Sequence, residues 1–214
     1  MIQARIATTA LALVLTSLAL ATEAGAQVCM GLPATDGQIS LQGDVFTRDT
    51  ETSYGGRLGM NFNTEFSIDV SLRRPRFENG NGTTITGRIG YEMDEYEPPV
   101  CFLFGVRHER RPDLDGEDLT STMIPVGVGI GKRLGSAKAL SLAIFVIPEY
   151  VYVLDPKPVV ESDDFWAKLR ERSQGRGVLG LLLASPFLYA TGSIEVTTVD
   201  DFEPTFSIGL GVTF

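Results

Sequence analysis

The last ten residues, Thr205-Phe206-Ser207-Ile208-Gly209-Leu210-Gly211-Val212-Thr213-Phe214, alternate between apolar and small or polar side chains. Phe206, Ile208, Leu210, Val212 and Phe214 fall on one parity, and Ser207, Gly209, Gly211 and Thr213 on the other. Successive side chains of a β-strand point to opposite faces, so this period of two predicts a strand with one oily and one wet face. If the oily face meets lipid, the strand belongs to a transmembrane β-barrel and closes it.

The same alternation recurs upstream and predicts ten strands, at 38–47, 54–62, 66–73, 83–92, 100–108, 123–132, 139–153, 176–184, 187–198 and 205–214. In 66–73, Phe66, Ile68, Val70 and Leu72 oppose Ser67, Asp69, Ser71 and Arg73. In 123–132, Ile124, Val126, Val128 and Ile130 oppose Pro125, Gly127, Gly129 and Gly131. In 176–184, Leu179, Leu181 and Leu183 oppose Val178, Gly180 and Leu182. Strand 139–153 is apolar on both faces in its first half, and its Pro148 suggests a bulge or an edge.

Three features favour lipid as the oil. The segments mostly have the length that a tilted strand needs to span a bilayer, about 9–11 residues. With the N-terminus in the periplasm, the connections at 63–65, 93–99, 133–138 and 185–186 fall on that side. The longer ones, 48–53, 74–82, 109–122, 154–175 and 199–204, fall outside, as in outer-membrane barrels with an even strand number. Finally, Phe62, Phe66, Tyr91, Phe102 and Phe214 cluster at one set of strand ends and Tyr54, Tyr150, Tyr152 and Phe206 at the other, forming two aromatic girdles. An eight-stranded barrel is the alternative count, and a secreted soluble barrel of lipocalin type is the structural rival.

The N-terminus fits export. Arg5 precedes an uncharged, largely apolar run from Ile6 to Ala21, and Ala24-Gly25-Ala26 offers a cleavage site. Residues 1–26 therefore read as a signal peptide and 27–214 as one barrel domain. Val28 stands before Cys29 where a lipobox would need a small residue, so lipidation is not expected. The formal charge is −9, which argues against nucleic-acid binding, a reaction that runs on phosphate neutralisation.

With its signal peptide, alternating strands and terminal Phe206, Ile208, Leu210, Val212, Phe214 series, the chain resembles the small outer-membrane β-barrel proteins of OmpA type and OmpX type. The resemblance covers residues 27–214 and is one of architecture. It implies that the terminal series is the signal read by the barrel assembly machinery. It also implies that outer-membrane lipid and lipopolysaccharide surround the protein, with both termini periplasmic.

By parity the inward-facing charged residues are Asp44, Arg57, Asp69, Arg73, Arg88, Glu92, Arg107, Glu149 and Glu195. Charges away from bulk water are tolerated when paired, so this near-balanced set reads as an ion-pair network filling a narrow barrel. A small polar channel is the other reading. The inward Gly127, Gly129 and Gly131 fit both, since they either make room for arginines or leave space.

Signals for other chemistry are weak. The one histidine, His108, falls on the lipid-facing parity. It lacks the Ser two residues later that a lipid A deacylase shows (Arg110 stands there), and the Asp two residues earlier of an omptin-type protease (Val106). No Ser/His/Asp arrangement is readable, so no catalytic residue is assigned. Asp113, Asp115, Gly116, Glu117 and Asp118 resemble a calcium loop only faintly, and read as a solvated acidic loop. No metal or cofactor is expected. In the longest loop, Ser162 as cap, Asp163 and Asp164 in the first turn, Lys168, Arg170 and Arg172 in the last, and Gly175 as stop predict a short helix. Phe165, Trp166 and Leu169 make its apolar side, and its bases would lie near lipid A phosphates.

Cys29 and Cys101 are the only cysteines. Cys101 begins its strand at the periplasmic side and points inward, Cys29 precedes the first strand on the same side, and the periplasm is oxidising. A disulfide between them is expected; two free thiols are the alternative. The residues from Cys29 to Ile39 reach roughly 33 Å at about 3.3 Å each, enough to draw the segment containing Pro33 across the barrel mouth.

The sequence thus points to a monomeric, non-catalytic outer-membrane barrel with a structural or surface role. A small-solute pore is the alternative, and a lipid-modifying enzyme lies further off. Replacing Phe214 by Ala is expected to slow insertion and leave more unfolded precursor, read as loss of the heat-modifiable band on unheated gels. Unchanged assembly would remove the terminal series as the assembly signal.

Overall fold

The structure is a computed structural model, and it describes residues 30–33, 38–48, 51–62, 65–77, 80–93, 95–96, 98–112, 118–135, 140–154, 173–198 and 204–214. Twelve strands are present: β1 (Ile39–Arg48), β2 (Glu51–Asn61), β3 (Phe66–Arg74), β4 (Arg76–Phe77), β5 (Gly80–Asn81), β6 (Thr83–Met93), β7 (Val100–Pro112), β8 (Asp118–Gly135), β9 (Ser141–Val153), β10 (Ser173–Ala184), β11 (Leu188–Thr197) and β12 (Thr205–Thr213). Ten form a closed antiparallel barrel in chain order, with β12 returning to β1; β4 and β5 form a separate two-residue ribbon between β3 and β6. The ten-stranded reading holds, and the eight-stranded alternative falls.

Closure follows from the alternation. Leu58, Val70, Phe104, Leu181 and Ile208 are all exposed on the outer wall, while Ser67, Asp69, Glu92 and Glu149 are buried inside. An apolar surface this continuous is not stable against water; lipid is the medium that covers it. No helix of the described residues is long and apolar enough to cross a membrane, so the strands do the crossing.

Several expectations change. β7 and β8 run much further than 100–108 and 123–132, so the expected loop 109–122 contracts to 113–117. Asp118 begins β8 instead of belonging to a loop. The reason is that polar residues such as Thr120, Ser121 and Thr122 pair with Arg110, Glu109 and His108 beyond the apolar band, where alternation of hydropathy no longer marks a strand. The loop 48–53 shrinks likewise to residues 49–50. Gly175 does not stop a helix: it lies in β10, paired with Tyr150. The rest of that expected helix, the remainder of the acidic loop, the signal peptide and Cys29 lie outside the described residues.

Pro148 is neither a bulge nor an edge. It pairs in register with Gly177, and Ile147 and Glu149 pair on either side with Val178 and Arg176. Towards β8 the ladder lapses between Gly127↔Glu149 and Ile130↔Val146 but resumes in the same register. Proline has no N–H to donate, so it removes rungs on one side without shifting the strand. Pro125 does the same towards β7, between Phe104↔Val126 and Arg107↔Met123.

Candidate functional site

The candidate site is the lumen. Its lower end, where β1 begins and β12 finishes, is filled by the chain itself. Met30 and Leu32 are 1% and 0% exposed and join Cys101, Leu103, Ala143, Phe145, Ile147, Leu182 and Tyr189 in one apolar cluster. Arg57 Nη2 donates to Met30 O at 2.8 Å and Asn61 Nδ2 donates to Pro33 O at 3.0 Å, fastening the segment to β2. The seat depends on small residues: a methyl group added at Gly59 would stand 2.7 Å from the Leu32 side chain, and one at Gly90 would collide with Met30. Burying each of these two side chains is worth about 1.5–3 kcal/mol.

Above this plug a chain of alternating charge crosses the lumen. Arg57 Nη2 meets Asp69 Oδ2 at 2.8 Å, and Arg88 Nε meets the same oxygen at 3.2 Å. Arg88 Nη1 reaches Glu149 Oε1 at 3.3 Å, and Arg176 Nη1 takes Glu149 Oε2 at 2.7 Å. Arg176 then grips Glu195 with both Nε (2.7 Å) and Nη2 (2.8 Å). The members come from β2, β3, β6, β9, β10 and β11, so the chain ties opposite walls together. Paired forks of this kind are the strongest hydrogen bonds a protein makes.

All nine inward residues expected from parity face the lumen, but they do not form one set. Arg57, Asp69, Arg88, Glu149 and Glu195 join the chain above. Asp44 is bound by Gln42, which also donates to Thr191 Oγ1 at 2.9 Å. Glu92 is buried beside Cys101, with Sγ and Oε2 3.4 Å apart. Arg73 and Arg107 lie apart, higher up. Gly127 makes room not for an arginine but for Glu149, whose Cγ would stand 2.7 Å from an added Cβ.

Several lumen charges escaped sequence reasoning: Arg48 and Arg111 at the vestibule wall, and above all Arg176, Glu109 and Arg133. Arg176, the hub, stands at the first position of the expected strand 176–184, on the inward parity of Val178 and Gly180. Glu109 and Arg133 share the inward parities of Arg107 and Gly131 but fall just beyond the expected ends of their strands. Parity extended by one or two residues finds all three. His108 faces outward, with Nδ1 3.2 Å from Thr122 Oγ1. Among the described residues no cluster of His, Cys, Asp and Glu could hold a metal ion.

Towards the long-loop end the lumen opens into a vestibule of about 210 Å³. Its wall carries Phe46, Arg73, Thr84, Thr86, Arg107 and Glu109, and its floor is the Arg176–Glu195 pair.

A closed, even-stranded antiparallel barrel with an apolar outer band and a charged interior is the architecture of the bacterial outer-membrane proteins, and that membrane is where the protein resides. No protein-family model matches the sequence, and no curated protein matches it. Among solved structures it is similar to the N-terminal β-barrel domain of Pseudomonas aeruginosa OprF, at 11% identity over 84% of this chain and 98% of that one, with a TM-score of 0.46. It is also similar to the NanC porin (10% identity, 82% and 98% covered, TM-score 0.37) and the β domain of the Bordetella autotransporter BrkA (10%, 83% and 98%, 0.37). These are likenesses of barrel to barrel, and no ligand or activity passes from them to this chain.

The charge chain predicts an asymmetry on mutation. Arg176→Met leaves Glu149 short of one partner and Glu195 of its fork, in a buried setting. It is expected to lower stability by about 3–5 kcal/mol, measured as a shift in the urea midpoint of the folded barrel in detergent. A loss below about 1 kcal/mol would mean that water already solvates the chain.

Proposed function

We propose that the protein is a non-conducting, non-catalytic outer-membrane barrel whose role is structural or in surface contact. The observation that carries this reading is the filled lumen. Met30 and Leu32 seal one end in an apolar cluster, and the alternating charge chain crosses the middle. A solute would have to displace the plug and break buried ion pairs to pass, which counts against the small-solute pore.

The termini are read as periplasmic, with the vestibule facing outward. The barrel acts as a monomer within lipid and lipopolysaccharide, and meets the assembly machinery only during biogenesis. The expected Cys29–Cys101 disulfide belongs to the same reading. Met30, the neighbour of Cys29, packs against Gly90 and Ser67, and the adjacent inward positions on β6 and β7 are Glu92 and Cys101. Such a bond would lock the plug in place and constrain the unfolded chain by about 4 kcal/mol.

Reconstituted in planar bilayers, the oxidised protein is expected to give no discrete conductance steps. Steady steps would replace this reading by that of a pore. Mass spectrometry without reduction is expected to find Cys29 and Cys101 joined; alkylation of both would leave the plug held by packing and its hydrogen bonds to Arg57 and Asn61.

A further inference from the structure

The vestibule holds more positive charge than its carboxylates use. Glu195 is gripped by Arg176, and Glu109 accepts from Arg111 Nε at 2.6 Å. Asp44 is bound by Gln42. Among the described residues Arg73 donates through Nε to Ser53 Oγ, at 3.2 Å, and its guanidinium lies 4.4 Å above the Phe46 ring. Arg107 has its Nε buried without a hydrogen-bond partner among the described residues. A buried guanidinium N–H without a partner is costly, and an oxyanion entering the vestibule would satisfy it.

The two arginines converge on one wall. Arg73 on β3 pairs with Thr84 on β6, and Thr86 on β6 pairs with Arg107 on β7. Thr84 and Thr86 therefore stand on the strand between those of Arg73 and Arg107, and all four residues line the vestibule. Planar forks matched with hydroxyl donors are the chemistry that binds a tetrahedral or planar oxyanion. We propose that the vestibule is a binding site for a small oxyanion of the phosphate class, held by Arg73 and Arg107 with Thr84 and Thr86. The site faces the lumen and not the lipid wall, so the ligand is a free solute reaching it from the long-loop end. The plug keeps it a binding site instead of a channel.

Isothermal titration of the refolded full chain in zwitterionic detergent, with sodium phosphate against sodium chloride at matched ionic strength, tests this. Saturable phosphate binding is expected. Arg107→Gln and Arg73→Gln should each weaken it at least about tenfold, whereas Arg74→Gln, on the exposed outer face, should leave it unchanged. Equal heats with phosphate and chloride, or binding retained in R107Q, would overturn the proposal. Loss of phosphate binding when lipopolysaccharide is added would give the site to a lipid phosphate and overturn the free-solute assignment. A second measurement guards against a folding artefact. Without ligand, Arg107→Met should unfold at the same urea concentration as the parent or higher, because it removes a buried unsatisfied N–H and breaks no ion pair seen among the described residues. A fall like that of Arg176→Met would make Arg107 part of the scaffold and sink the proposal.

Discussion

The seam between β1 and β12 is the constraint on which the rest of the structure depends. In hydrocarbon no water is available for an open sheet edge, and each unpaired backbone group costs several kcal/mol. The seam runs without a break from Ser40↔Thr213 to Thr47↔Phe206, so the alternating C-terminal decapeptide completes the backbone pairing of the whole barrel. Side chains reinforce it from inside. Gln42 on β1 reaches across β12 to Thr191 on β11, over Gly209. A side chain at 209 would collide with Gln42, Asp44 and Thr191, so the seam's internal tie requires a glycine at that point.

Closure creates an interior that has to be filled, and it is filled in two ways. The lower part is packed with apolar side chains and the plug. The middle is packed with charge, which is viable because signs alternate along the chain. Asp69 lies between Arg57 and Arg88, and Glu149 between Arg88 and Arg176. Asp69 and Glu149 therefore each meet two guanidinium groups, which offsets their desolvation. Buried pairs of this kind add little net stability over apolar packing, but they dictate which strands face each other. Arg57 belongs to both parts. It closes one end of the charge chain on Asp69 and also donates to Met30 O, so the plug and the network hold each other in place.

How much of this is legible in the sequence depends on whether parity or context carries the information. Strand identity and facing are matters of parity, and Asp69, Arg88 and Glu149 can be assigned inward from their neighbours alone. Strand ends are not. Beyond the apolar band both faces of β7 and β8 are polar, so Glu109 and the Thr120–Thr122 stretch look like loop although they are paired. The plug is legible only in its position: the expected disulfide draws the segment with Pro33 across the mouth, but nothing in the sequence shows how that segment is seated. Met30-Gly31-Leu32-Pro33 has no periodicity, and its burial arises only because Gly59 and Gly90 on separate strands leave a socket of the right shape. Which arginine meets which carboxylate is likewise a property of register across the lumen. Arg88 on β6 and Glu149 on β9 become partners only once the barrel is closed.

The two fillings give the lumen a direction. The terminal end is packed with apolar side chains and the plug, the neutral charge chain in the middle gives each of its three carboxylates a guanidinium partner, and Arg73 and Arg107, which join no ion pair among the described residues, lie above it. The same arrangement explains why Arg73 and Arg107 need not pair internally. The vestibule stands in contact with water, where an arginine's residual charge is screened, whereas Arg57, Arg88 and Arg176 lie deeper and must each find carboxylates. Packing and paired charge thus fill the barrel from the plug to the chain, and the space left open lies at the mouth.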